Sequence, residues 1–200
     1  MNALDTATPR GDQRRTALLG ALDALLQDST LEAINISEIS RRAGVTRSAF
    51  YFYFENKAAA VAALMEQMYD DTAAAAAHLT GEGSPQERIE ATIRGLFASW
   101  DRHEHLCRAT LEARASSPAV RELWDADRES FVPVVAAMIE AERAAGRAPG
   151  GVPAPTLASV LLELNDRMLE RVALGGPLGR EELVEGVVAV WLRSIYGRTS

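Results

Sequence analysis

Apolar side chains recur along this chain three or four positions apart, and few stretches alternate, so the pattern predicts helices throughout. Leu18, Ala21, Leu22, Leu25 and Leu26 form one stripe over residues 12–27. Val61, Leu64, Met65, Met68 and Tyr69 line a long helix that starts near Lys57, fades into the alanine run 73–77 and stops at Gly81 and Gly83. Ser84-Pro85 opens the next helix, with proline at its first position and Ile89, Ile93, Leu96, Phe97 and Trp100 as its stripe. A helix over 106–115 follows. One long helix is then expected from Pro118 to about Ala145, kinked at Pro133, where an N–H is missing and the ring crowds the preceding turn. The run 146–156 reads as a loop, and two closing helices fall near 156–173 and 180–196. The last carries apolar residues on two faces: Leu183, Val187 and Trp191 on one, and Val184, Val188 and Ile195 on another. The first face suits the core, leaving the second free to pair with another subunit.

Between the first stripe and the long helix lie two shorter helices, from Asn35 to Phe54. Ser37 is the expected N-cap of the first, and Gly44 can take the left-handed conformation common at helix ends. Thr46 caps the second, with Val45 and Phe50 spaced as a hydrophobic staple. Two short helices joined by a tight turn containing glycine form a helix-turn-helix. Its second helix presents Arg47, Ser48, Ala49 and Tyr51 near the N-terminus, where such a helix meets base edges in a major groove. The fold class is therefore all-α, divided into a helix-turn-helix head, residues 1–55, and a larger helical body, residues 56–200. Residues 1–10 are polar and expected to lack order unless tethered.

Charge changes the picture only when divided along the chain. The net charge is −7, which looks wrong for a partner of nucleic acid. Residues 1–57 hold seven basic and seven acidic side chains, and residues 35–57 four basic and two acidic. The acidity belongs to the body, and the head is locally basic. No apolar run is long enough to span a bilayer, the N-terminus is not signal-like, and the single cysteine, Cys107, has no partner for an internal disulfide. A cytoplasmic location is expected.

Phe50-Tyr51-Phe52-Tyr53-Phe54 is the sharpest motif. Phe50 and Phe54, four apart, share a face and suit the core, which turns the Tyr51 and Tyr53 hydroxyls elsewhere. Thr46 and Lys57, the chain's only lysine, each stand at a helix start, where free N–H groups favour an anion. The stretch from Gly44 through the aromatic string to Lys57 closely resembles the signature of TetR-family repressors. The tail Trp191 to Gly197, the stretch Ala136 to Pro149 and the segment Leu164 to Arg167 are similar to the EthR type of that family, so the likeness spans nearly the whole chain. The resemblance implies a homodimeric repressor that pairs through its last two helices and binds double-stranded DNA at a palindromic operator. It also implies a long apolar channel in the body for a small apolar effector. Residue by residue it implies DNA contacts by Ser37, Thr46, Arg47, Ser48, Tyr51, Tyr53 and Lys57. Thr46, Tyr53 and Lys57 would meet phosphates, and Arg47 and Tyr51 base edges.

The same resemblance places Ile93, Leu96, Trp100, Phe131, Val134, Asn165 and Trp191 around the channel. Leu96 and Val134 stand where rings would be expected, and Leu162 where an asparagine would. Apolar residues at helical spacing are by themselves ordinary core. Asn165 says more: amid Leu161, Leu164, Met168 and Leu169, its amide either bonds a neighbouring backbone group or faces a ligand. No catalytic or metal site is expected, and no cofactor. His103 and His105 are two apart, which suits no shared metal on a helix, and Cys107 lacks an orienting group. A ligand-independent regulator, an activator, or a helical enzyme with a repressor-like head are the competing readings.

Overall fold

The computed structural model describes residues 10–197. The expectation for residues 1–10 therefore falls almost wholly outside the described residues, and the place of Tyr69 on its stripe falls outside the described side chains. The described residues form ten α-helices: α1 (Arg10–Leu26), α2 (Ile36–Arg42), α3 (Arg47–Tyr53), α4 (Lys57–Ala77), α5 (Pro85–Arg102), α6 (Glu104–Ser116), α7 (Pro118–Ser130), α8 (Val132–Ala144), α9 (Ala154–Ala173) and α10 (Arg180–Tyr196). A single 3-10 turn, His78–Thr80, closes α4.

The head forms because its start and stop signals agree with its apolar pattern. Asn35, in an extended conformation, accepts from the Glu38 N–H at 2.9 Å and caps α2. This corrects the expectation for Ser37, which lies two residues too late, exposed at the second position of the helix. Asparagine and serine cap equally well, so the alternative was one of register. Gly44 has φ +69°, the left-handed conformation that ends α2. Thr46 accepts from the Ala49 N–H at 3.2 Å and starts α3. Phe50 and Phe54 are buried with ring centroids 5.6 Å apart, against Leu18, Leu22, Ile39, Val61 and Leu64. Each such side chain contributes about 1.5–3 kcal/mol through burial. This core does not stop at residue 55: Leu106, Ala109 and Ala113 of α6 and Val120 of α7 belong to it.

The body is built on α5, whose start is fastened by a capping box. Ser84 accepts from the Glu87 N–H, and the Glu87 carboxylate accepts from the Ser84 N–H at 2.8 Å. Ile89, Ile93 and Phe97 of α5 pack with Val135 and Ile139 of α8, Leu161 and Leu169 of α9, and most of α10. The expected kinked helix over 118–145 is instead two helices. Pro133 has no N–H to offer the Glu129 carbonyl, so the chain breaks at Phe131 and α8 restarts with Pro133 in its first turn. Both apolar faces of α10 are interior: Val184, Val188 and Ile195 are as buried within one chain as Leu183, Val187 and Trp191. The face expected to be free for a second subunit is therefore core, closed by α5 and α9.

Among the described residues no helix is long and apolar enough to cross a membrane.

Candidate nucleic-acid face and internal cavity

The outer face of α3 carries Arg47, Ser48 and Tyr51, all exposed, together with Phe52, which is 80% exposed. Arg47 Nη2 donates to the Tyr51 hydroxyl at 3.2 Å, and its guanidinium lies 5.6 Å from the Tyr51 ring centroid. The spacing of four residues on one helix makes this pairing possible and holds both groups on the same surface. Because the Thr46 hydroxyl oxygen accepts from the backbone, its hydrogen remains available to an anion at the same turn. Tyr53 is half-buried, its ring edge-on to Phe52 at 4.9 Å. Ser37 is exposed on α2.

Phe52 was not singled out from the sequence, although its position settles the matter: it lies two residues from each buried phenylalanine, on the opposite side of the helix.

Lys57 opens α4, at the helix start expected for it, and its ammonium is engaged within the chain. Its ammonium donates to the carbonyls of Leu31, Glu32 and Ile34, the Glu32 bond being 3.1 Å long. All three donors of the ammonium are matched by backbone acceptors of the loop between α1 and α2. Lys57 thus fastens that loop to the start of α4.

Within the body, α4 to α10 enclose a cavity of about 330 Å³, within the range of small-molecule sites. Leu96, Trp100, Phe131, Val134, Asn165 and Trp191 all line it. Ile93 does not; it is fully buried in the core behind the wall. Val134 is 39% exposed, which puts it at the mouth. Ala62, Met65, Met68 and Thr72 of α4 contribute a further wall, so the helix that begins at the Lys57 fastening also borders the cavity. All three tryptophans of the chain, Trp100, Trp124 and Trp191, are on the lining. Trp100 and Trp124 meet edge to face at 5.9 Å.

Asn165 is buried, and its side-chain oxygen accepts from Trp191 Nε1 at 3.0 Å. Its carbonyl is thereby matched by a side chain, and its NH2 remains unpaired among the described residues. Neither alternative drawn from the sequence foresaw this indole partner.

The cavity is less uniformly apolar than its stripe of origin. Asp127, Arg128 and Asp166 lie on one side. Asp166 accepts from Trp124 Nε1 at 2.7 Å and from Arg128 Nη1 at 3.3 Å, yet burial outweighs both bonds and pushes its carboxyl up to about 6. Arg128 also meets Asp125 at 3.1 Å and Glu163 at 2.9 Å. Burial raises the Asp127 carboxyl above its ordinary value, and no hydrogen bond or ion pair offsets this. The Thr110 hydroxyl is buried on the same lining without a partner.

The remaining candidates for chemistry are occupied elsewhere. His103 meets Asp71 at 3.3 Å, and His105 meets Asp23 at 2.8 Å. Burial pushes the Cys107 thiol up to about 12, leaving it protonated and unreactive at neutral pH. Among the described residues no group of three or more His, Cys, Asp or Glu could hold a metal ion.

A helix-turn-helix head on a helical body with an internal cavity defines a DNA-binding transcriptional regulator. Residues 18–64 match the family described as bacterial regulatory proteins, tetR family, and residues 89–197 match the C-terminal domain of the transcriptional regulator EthR. The chain is 34% identical to the HTH-type transcriptional regulator EthR of Mycolicibacterium smegmatis, over 96% of this chain and 90% of that protein. It is 33% identical to the EthR of Mycobacterium tuberculosis strain H37Rv, over 96% and 91%. The same fold recurs in a TetR-family regulator from Syntrophomonas wolfei, at TM-score 0.71 and 19% identity over 93% of this chain and 97% of that one. It recurs also in the regulator FadR of Bacillus subtilis in complex with stearoyl-CoA, at TM-score 0.68 and 16% identity over 92% and 99%. The chain belongs to the TetR family of transcriptional regulators, in its EthR-like branch.

Proposed function

We propose that the protein is a cytoplasmic, homodimeric repressor that leaves a palindromic operator when a small apolar effector fills the body cavity. It acts by binding, not by catalysis. The observation that carries this reading is that one chain pairs an exposed recognition surface on α3 with an aromatic-lined cavity, and α4 runs from the core of the head to the wall of that cavity. Thermodynamics requires the effector to prefer the released geometry over the DNA-bound one. The head, residues 1–55, and the body, residues 56–200, are the two working parts, although they share a core through α6. Arg47 and Tyr51 read base edges. Ser37, Thr46, Ser48 and Tyr53 position the head on phosphates. Lys57 supports this surface from behind instead of touching DNA itself. In the cavity the Asn165 NH2 donates to an effector carbonyl, a contact contributing about 0.5–1.5 kcal/mol.

Two heads are needed because a single half-site offers too few contacts for tight binding. The dimer face lies on the outer sides of the last two helices, where Val160 of α9 and Val190 of α10 are 60% and 43% exposed. Val160→Glu with Val190→Glu should give a folded monomer in sedimentation, with weakened operator binding. An unchanged dimer places the interface elsewhere.

DNA recognition is tested by fluorescence anisotropy on the promoter beside the protein's own gene. Arg47→Ala should relax preference at one position per half-site, at a cost of about 1–3 kcal/mol there. Arg47→Ala binding operator and scrambled DNA as the parent does would overturn the docking. Val134→Trp should close the cavity mouth, keeping DNA binding while abolishing response to apolar compounds.

A further inference from the structure

We propose that the cavity takes an amphipathic cation: an apolar body bearing a protonated amine that pairs with the carboxylate of Asp127. This rests on the effector reading above and names the chemistry of that effector. Asp127 stands on α7 one turn from Leu123 and one turn from Phe131, and all three line the cavity. It is half-buried, and no hydrogen bond or ion pair reaches its carboxylate among the described residues. A carboxylate in such a place is costly unless a cation or several donors meet it.

The protein's own cations near this wall are committed. Arg128 faces Asp125, Glu163 and Asp166, and is outnumbered by them. Arg114 pairs with Glu170 at 2.7 Å and lies 4.7 Å from the ring centroid of Trp124. The charged lining residues are Glu66, Asp127, Asp166 and Arg128, three acids to one base. This excess sits among tryptophan and phenylalanine rings, whose faces attract cations. Burial already holds the Asp127 carboxyl above its ordinary value, so an arriving ammonium meets a group that gains from being paired.

Thr110 supplies an independent polar position on the lining. Its hydroxyl, on α6, is buried at 1% exposure, has no partner, and lies on the same lining. With the free Asn165 NH2 it offers a second and third polar position to a ligand whose body is otherwise apolar.

The test uses three probes with one skeleton: 4-phenylbutylamine, 4-phenylbutan-1-ol and 4-phenylbutyrate, a cation, a neutral molecule and an anion at pH 7.5. Binding is read from intrinsic fluorescence, since every tryptophan of the chain borders the cavity. The amine should bind the parent about tenfold more tightly than the alcohol, the scale of one charge-assisted bond, and the butyrate most weakly. Asp127→Asn should abolish the amine's advantage and leave the alcohol unchanged, while Asp127→Glu should retain it. Circular dichroism checks the fold, and Asp127→Asn should melt at or above the parent temperature because an unpaired charge is removed. Alcohol binding as tight as amine binding overturns the cation and leaves the effector cavity standing. An amine preference that survives in Asp127→Asn places the cation elsewhere and overturns the assignment. Failure of all three probes to alter the fluorescence overturns both this inference and the cavity reading on which it rests.

Discussion

Lys57 in the head and Asp127 in the body are both half-buried charges, and the protein treats them in opposite ways. Lys57 has one backbone carbonyl for each N–H of its ammonium. No hydrogen bond or ion pair reaches the Asp127 carboxylate among the described residues. A charge fully matched within the chain fixes geometry and has nothing left to offer a ligand. A charge left unmatched beside a cavity is unfavourable until something arrives. The charge in the head is thus satisfied when the chain folds, whereas the charge in the body is left for the proposed effector to match.

The largest effect should come from opening the closed site. Lys57→Met leaves three carbonyls without their common donor and should lower stability by about 4 kcal/mol, each charge-assisted bond being partly replaced by water. Urea unfolding measures the loss. Operator and non-specific DNA should lose affinity together, since the loop that leads into α2 is freed from α4. A salt slope reduced by about one unit, with unchanged stability, would instead mean that Lys57 itself meets a phosphate.

The contrast can be sharpened with protons. Glu142, on α8, is 2% exposed and held down to about 2, chiefly by hydrogen bonds from Arg147, with Arg88 adding to them against the cost of burial. Its folded pKa lies below its unfolded one, so its contribution is present above about pH 4.5 and is lost as pH falls toward 2. The loss is on the order of 3 kcal/mol. Asp166 runs the other way. Its folded pKa of about 6 exceeds the unfolded value of 3.8, so its burial cost is relieved as pH falls from 6 toward 4. Between pH 6.5 and 4.5 the parent should therefore gain stability, and below 4.5 lose it. Glu142→Gln should flatten the acid limb in thermal melts, and Asp166→Asn the rise above it.

The smallest effect belongs to Asn165→Leu. It removes the acceptor of the Trp191 indole, costing about 1–2 kcal/mol of stability. It also removes the free NH2, so carbonyl-bearing effectors should weaken by up to about tenfold while operator binding is unchanged. An effector affinity equal to the parent's, measured by calorimetry, would mean that Asn165 serves only Trp191.

The head was legible in the sequence because its signals are local. The Thr46 cap, the left-handed Gly44 and the staple fall within ten residues. The sequence reads Ser37 as the cap of α2 where Asn35 serves, and the share of α6 and α7 in the head core is not a local signal. Most of the cavity was legible through family resemblance, with Ile93 misplaced by one layer. Asp127 and Thr110 were overlooked because polar residues on an apolar stripe interrupt the pattern that defines it. Yet Asp127 sits four residues from both Leu123 and Phe131, a spacing that already put it on their face. The Val184, Val188 and Ile195 face of α10 reads as free in the sequence for a physical reason: a helix packed against two neighbours of its own chain has the same apolar composition as one packed against a partner.

The continuity of α4 fixes a scale of movement. Its 21 residues make a rod roughly 31 Å long, with the loop fastening of Lys57 at its head end and Met65, Met68 and Thr72 along the cavity wall. If an occupant tilts this rod by about 5°, its far end swings by about 2.7 Å. That is close to half the 5–6 Å spacing of side chains on a helix surface, and in a dimer the two swings add. A major groove admits a helix with little clearance. A side chain displaced by that amount loses a bidentate contact altogether, because hydrogen bonds tolerate only a few tenths of an ångström. A modest widening of the cavity is thus geometrically sufficient to spoil the register of both heads at once.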